Sequence, residues 1–211
     1  QYDNVQKGID TMYIFLFISS LIISFFGILF IDEILSVVKL PEGTQEPAKK
    51  YLVILLAGLI LDFGYNGTAA IFRSLGDSKT PLYFLIIASV MNIILDIVFI
   101  KYLEMGIEGI AIATLLSKGG AFLTAVIYIN RKYEFFNIRL LGLKFDKDTF
   151  FKGFKIGLPS GLQHMFVALG MMAIYRIVSR FGMTVTDAYS VAMRIDFFGM
   201  VPAMSFSMAL T

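Results

Sequence analysis

The chain has 211 residues, 57% of them hydrophobic and 16% charged, with a formal net charge of +2 and a mean hydropathy of +0.77. Soluble domains sit near about 45–50% apolar, and the apolar residues here come in blocks long enough to cross a bilayer, roughly 20 residues each. With no cysteine and one histidine, the chain has no disulfide, thiol nucleophile or cysteine-held metal. A single histidine also argues against a histidine metal centre or a catalytic triad. The expectation is an all-α, polytopic membrane protein and not an enzyme.

Six spans are expected, over about 11–31, 51–72, 81–101, 107–129, 156–178 and 186–211. The chain opens on Gln and stops inside an apolar stretch, which reads as an internal piece of a longer protein. Its loops alternate in basic content. One side collects Lys7, Arg73 and Lys79, then Arg131, Lys132, Arg139, Lys144, Lys147, Lys152 and Lys155. The other holds Lys39, Lys49, Lys50, Lys101, Arg176 and Arg180. The positive-inside rule places 1–10, 73–80 and 131–155 in the cytoplasm, in a plasma or inner membrane.

In the first span, Ser19, Ser20 and Ser24 are expected to bond back to their own helix. A loop with Pro41, Glu42 and Pro47 follows. The second span has Asp62 near its middle, and its Gly58, Gly64 and Gly67 allow close helix packing. At the turn into the third span, Gly76 suits a left-handed helix end, Thr80 a cap and Pro81 the first helical position.

The third span, TPLYFLIIASVMNIILDIVFIKY over 80–102, carries Ser89, Asn92 and Asp96 on one face. A carboxylic acid at the centre of a span costs roughly 2.5–3.5 kcal/mol on insertion scales, so Asp96 reads as functional. The fourth span follows a short turn and is rich in small residues. Residues 131–155 mix charge with Phe135, Phe136, Leu140 and Leu141, as a cytoplasmic amphipathic connector between two helical bundles would. The fifth span opens on GLPSG, and the sixth carries Arg194, Asp196 and Pro202.

Depth arithmetic pairs residues on different spans. Asp96 lies 15 residues past Pro81, leaving about 8 Å to the outer face of a ~30 Å core, and Thr114 lies about 10 Å below that face. Asp62 and Lys118 lie about 17 and 16 Å deep, which permits an intramembrane ion pair. A structural pair is favoured there over a second proton relay. His164 reads as a core residue. Tyr65 and Phe63 are weak candidates for a cavity that takes organic cations.

The stretches AIFRSLGDSKTPLYFLIIASVMNIILDIVFI, GIEGIAIAT, KIGLPSGLQHMF and AYSVAMRIDFFGMVPAM, in this order, closely resemble the multidrug and toxic compound extrusion (MATE) transporters. The resemblance implies a two-lobe, twelve-helix fold of which this chain supplies about helices three to eight. Residues 1–130 would hold the last four helices of the N-terminal lobe and 131–155 the inter-lobe connector. The first two helices of the C-terminal lobe would lie in 156–211.

It further implies alternating-access export of organic, often cationic, compounds in exchange for Na⁺ or H⁺, by a monomer with no other cofactor and no nucleic-acid partner. Matched residue by residue, a cation site of one family branch falls on Asn92, Asp96 and Thr114, with a further Asp on a helix outside this chain. A second branch carries a Glu two turns past its Gly-Leu-Pro motif, where this chain reads Met165-Phe166-Val167-Ala168. A cation site there is not expected. The rival transporter reading is a lipid-linked oligosaccharide flippase of the same two-lobe plan. That role calls for a more basic cavity than Lys118, Arg176 and Arg194 supply.

Overall fold

The computed structural model describes the backbone of residues 2–38, 43–133, 137–138 and 142–210, and the side chains of 4–37 and of 43–201 within those ranges. Lys39, Pro41 and Glu42 of the first loop and Phe135, Phe136, Arg139, Leu140 and Leu141 of the connector lie outside the described residues, as does the side chain of Pro202. The helices are α1 (Tyr2–Leu29), α2 (Ile31–Val38), α3 (Gln45–Ala57), α4 (Leu59–Ser74), α5 (Lys79–Ile97), α6 (Gly106–Lys132), α7 (Lys147–Val178) and α8 (Met183–Leu210). A π-helical turn, Val98–Tyr102, extends α5, and a 3₁₀ turn, Ser179–Phe181, ends α7.

Among the described residues, four stretches are long and apolar enough to cross a membrane, Asn4–Leu29, Lys79–Tyr102, Gly106–Lys132 and Lys147–Phe181, and the bent pair of α3 and α4 makes a fifth if it is one span. The protein is an all-α, multi-pass membrane protein. Two expectations need correction. The first ten residues are not a loop, because α1 already runs through them and buries Ile9 and Asp10. The second span is not one straight helix: α3 and α4 meet at Gly58 with a bend of 51°. Gly58 has no Cβ, and one built there would overlap the Leu115 side chain of α6. The break is therefore the place where α6 presses closest. The Leu56 carbonyl just before it accepts the Ser24 hydroxyl of α1, a bond expected to stay within α1.

The chain forms two compact units, Gln1–Gly153 and Phe154–Thr211. In the first, α6 is the central helix, touching α3, α4 and α5, while α1 packs on α4 and α3. The α4–α6 seam runs in parallel register, small against large: Gly58 on Leu115, Leu61 on Gly119, Gly64 on Phe122. Small residues at such a seam let backbones approach where burial from water supplies no drive. Toward one end, Tyr13, Ile71, Phe72, Phe122, Ala125, Val126 and Ile129 close into a core that includes Ile138 of the connector. There Thr68 Oγ1 donates to the Gly64 carbonyl at 2.9 Å. Its hydroxyl hydrogen thus engaged, it accepts the Tyr13 hydroxyl at 2.6 Å.

Meanwhile Leu82, Leu85, Ile86, Ile93 and Ile97 of α5 point outward and are exposed. An apolar face of that extent belongs against lipid. In the second unit, α7 runs as one helix through Pro159, and His164, expected in a core, lies on its exposed surface.

Candidate cation site in the first bundle

The α4–α5 hairpin sets the pose of the polar face of α5. Gly76 takes a φ of +81°, where a side chain would be strained. The side chain that caps the start of α5 is that of Asp77, not Thr80. Its carboxylate accepts the Thr80 backbone N–H at 3.0 Å and the Thr80 hydroxyl at 2.7 Å, and pairs with Lys132 of α6 at 2.7 Å. Lys132 first, then both Thr80 donors, hold the Asp77 carboxyl well below the usual carboxylate range. Helix α5 is thereby tied at its start to the far end of α6, antiparallel to it.

On the facing sides of α5 and α6, Asn92 and Thr114 meet. Asn92 Nδ2 lies 3.5 Å from Thr114 Oγ1, the long end of hydrogen bonding. The Thr114 hydroxyl donates to the Ile110 carbonyl at 2.9 Å, leaving its lone pairs toward α5. One turn along α5, Asp96 is half-buried, and its Oδ1 is fully buried with no hydrogen-bond partner among the described residues. An unsatisfied carboxylate oxygen at this depth is costly unless a cation or proton meets it. The α-helical ladder widens into the π turn at Val98, two residues after Asp96, a local irregularity frequent at functional sites. Asn92, Asp96 and Thr114 together offer a set of oxygen atoms, the donor type that hard cations prefer. Ser89, at the end of the same stripe, is exposed.

Asp62 of α4 and Lys118 of α6 form a salt bridge; the side chains retain 27% and 46% exposure, Asp62 and Lys118 respectively. The second Asp62 oxygen takes the Asn66 amide at 3.4 Å. The Tyr65 hydroxyl donates to the Pro81 carbonyl at 2.9 Å, tying α4 to the start of α5. Phe63 is half-buried, two residues away and hence off that face. A cavity of about 210 Å³ between α5 and α6 includes neither. Its lining includes Phe84, Ala88, Met91, Leu95, Leu116 and Ser117. Ser117 Oγ is buried there with no partner among the described residues. In the second unit, Met171, Met172, Tyr175, Tyr189, Ser190 and Met193 line a cavity of about 430 Å³ between α7 and α8.

Sequence reasoning also missed a staple on the connector. Gln6 of α1 brackets Asn137, its amide donating to the Asn137 carbonyl and its oxygen accepting the Asn137 N–H, both at 3.0 Å. Asn130 of α6 treats Ile138 the same way, at 3.0 and 2.7 Å. Buried Asp10 accepts the Lys144 N–H at 3.2 Å, and buried Thr11 accepts the Asp146 N–H at 3.0 Å. The only advance signal was polar residues near the start of an apolar span.

The MatE family model matches residues 1–98. Over that stretch the chain is similar to the MATE family. It is 38% identical over 180 residues to the Probable multidrug resistance protein YpnP of Bacillus subtilis (strain 168), covering 85% of this chain and 40% of that protein. To YoeA of the same organism, also named a probable multidrug resistance protein, it is 29% identical over 216 residues, covering 99% of the chain and 47% of YoeA. Among solved structures it is similar to a MOP superfamily transporter from Pyrococcus furiosus, with a TM-score of 0.81 and 25% identity over 94% of this chain and 45% of that one. An inward-facing MATE family transporter of the MOP superfamily matches with a TM-score of 0.78 and 26% identity, over 90% of this chain and 44% of that one. The chain spans about half the length of the proteins it matches.

Proposed function

We propose that the intact protein is a cation-coupled multidrug exporter, an antiporter of the plasma membrane that exchanges organic, often cationic, compounds for Na⁺ or H⁺ by alternating access. The observation that carries this reading is the buried, unpartnered Oδ1 of Asp96 beside the Asn92–Thr114 contact. The names of YpnP and YoeA support multidrug resistance as the wider role. In this reading Asp96 supplies the negative charge, Asn92 and Thr114 supply neutral oxygens, and a further acid comes from outside this chain. Cation binding at Asp96 shifts the protein toward the state that releases the organic compound outward, by as much as the cation's affinity differs between the two states. The α4–α5 turn and the connector lie on the cytoplasmic side.

The test is Asp96→Asn in the intact protein. Cation-driven export of a fluorescent organic cation should fall to the level of cells without the protein, at near-normal expression. Undiminished export would overturn the assignment. Replacing a Na⁺ gradient with a pH gradient in proteoliposomes identifies the coupling ion.

A further inference from the structure

The cation site has a lysine for a neighbour. Lys118 follows Thr114 by four residues on α6, so the two share a helix face, one turn apart. Asp96 follows Asn92 by four on α5, which runs antiparallel to α6 and touches it at Asn92–Thr114. Asp96 and Lys118 therefore sit about two turns apart along the bundle, roughly 12 Å. At that range, and an effective interior dielectric of about 20, an unbalanced ammonium would weaken the binding of a univalent cation at Asp96 by about tenfold. Lys118 is not unbalanced. Asp62 of α4 pairs with it, and the Asn66 amide in turn donates to Asp62. Both members of the pair keep partial exposure, and an intramembrane ion pair with such exposure faces the bundle interior or a watery cavity in the intact protein.

We infer that Asp62 is a positioning and charge-balancing residue for the Asp96 site: by neutralising Lys118 it sets the affinity of that site for the coupling cation. The inference rests on the reading of Asp96 as a cation ligand. It extends that reading to a third helix, so that α4 enters the coupling chemistry without touching the ion. The close α4–α6 seam is what makes the arrangement permanent, since Leu61 on Gly119 and Gly64 on Phe122 flank the pair and keep the two helices close.

The two partners carry opposite charge, so the inference predicts opposite signs. Asp62→Asn leaves the ammonium and should raise the half-saturating cation concentration by about tenfold. Lys118→Met leaves the carboxylate and should not raise it. The double variant should return to within about threefold of wild type, whereas a merely structural salt bridge would make both single variants worse.

The assay is export by the intact protein in proteoliposomes, with Na⁺ titrated at constant pH and pH titrated at constant Na⁺. Half-saturation is read for the ion that drives wild type, and thermal melting of the purified variants controls for folding. Weakening by Lys118→Met, or a double variant as weak as Asp62→Asn, overturns the inference and leaves the Asp96 site standing. Should Asp96→Asn leave the cation response intact, or neither ion drive export by wild type, the cation-site reading falls and this inference falls with it.

Discussion

Gly64→Ala is the sharpest test of the seam on which the site depends. A Cβ at Gly64 would lie 2.7 Å from Phe122 Cζ and 2.8 and 2.9 Å from its two Cε atoms. Ordinary carbon contacts lie at about 3.5–4.0 Å, so the ring must retreat by roughly an ångström. It has little room to do so, being 4% exposed and packed in one core with Ala125, Val126 and Ile129. Overpacking of this kind costs about 1–3 kcal/mol, and the better helix propensity of alanine returns about 0.5–1 kcal/mol. The net expectation is a loss of about 1–2 kcal/mol.

Gly120→Ala on α6 is the matched control, since a Cβ there has nothing within 4 Å; it should be neutral or slightly stabilising. Phe122→Leu removes the tip of the ring and should partly rescue Gly64→Ala. The double variant would then be less destabilised than the sum of the singles by more than about 0.5 kcal/mol, beyond the scatter of additivity. Thermal melting of the purified protein in detergent measures all four. If Gly64→Ala melts with wild type, or the double variant is simply additive, α4 and α6 do not meet as described.

Other consequences are as concrete. Asp10→Ala removes the acceptor of the Gln6 amide and the Lys144 N–H. With charge-assisted bonds worth about 1.5–3 kcal/mol each, tryptic cleavage after Lys144 should accelerate several-fold, and an unchanged rate would show the connector is not held there. Thr68→Val leaves the buried Tyr13 hydroxyl without its acceptor and should cost about 1–3 kcal/mol. Tyr13→Phe removes an interhelical bond and should cost nearer 0.6 kcal/mol; melting in detergent orders the two.

Asp77→Asn tests the hairpin tie by its pH dependence. The Asp77 carboxyl is held below its ordinary value in the folded protein, so its stabilisation is present above the unfolded carboxylate pKa of about 4. It is lost as pH falls through the lower folded value. The difference in melting temperature between wild type and Asp77→Asn should be constant above about pH 5 and shrink in acid. A gap that widens in acid would contradict the tie.

Much of this protein was legible in one dimension because a bilayer accepts few solutions. Long apolar blocks had to be helices, since lipid offers nothing else for backbone hydrogen bonds. Asp96 stood out because an acid in such a block is costly, and its spacing to Asn92 follows from the helical period alone. The two spans joined by the short Glu104–Gly106 turn had to run antiparallel, so a similar depth for Asp96 and Thr114 could be worked out without coordinates.

Tertiary structure decided the rest, because the rest depends on which helices touch. No periodicity announces that the second span bends at Gly58, since that bend is where Leu115 of another helix comes against it. Equal depth allowed Asp62 and Lys118 to pair, but only the parallel α4–α6 seam brings them into contact. Asp77 looked like one more turn residue until Lys132, 55 positions later, came to lie on it. Gln6, Asp10, Thr11 and Asn130 were polar residues with no evident purpose until the connector folded back over them. Local chemistry is written along the chain, whereas the partner of a polar side chain is set by packing.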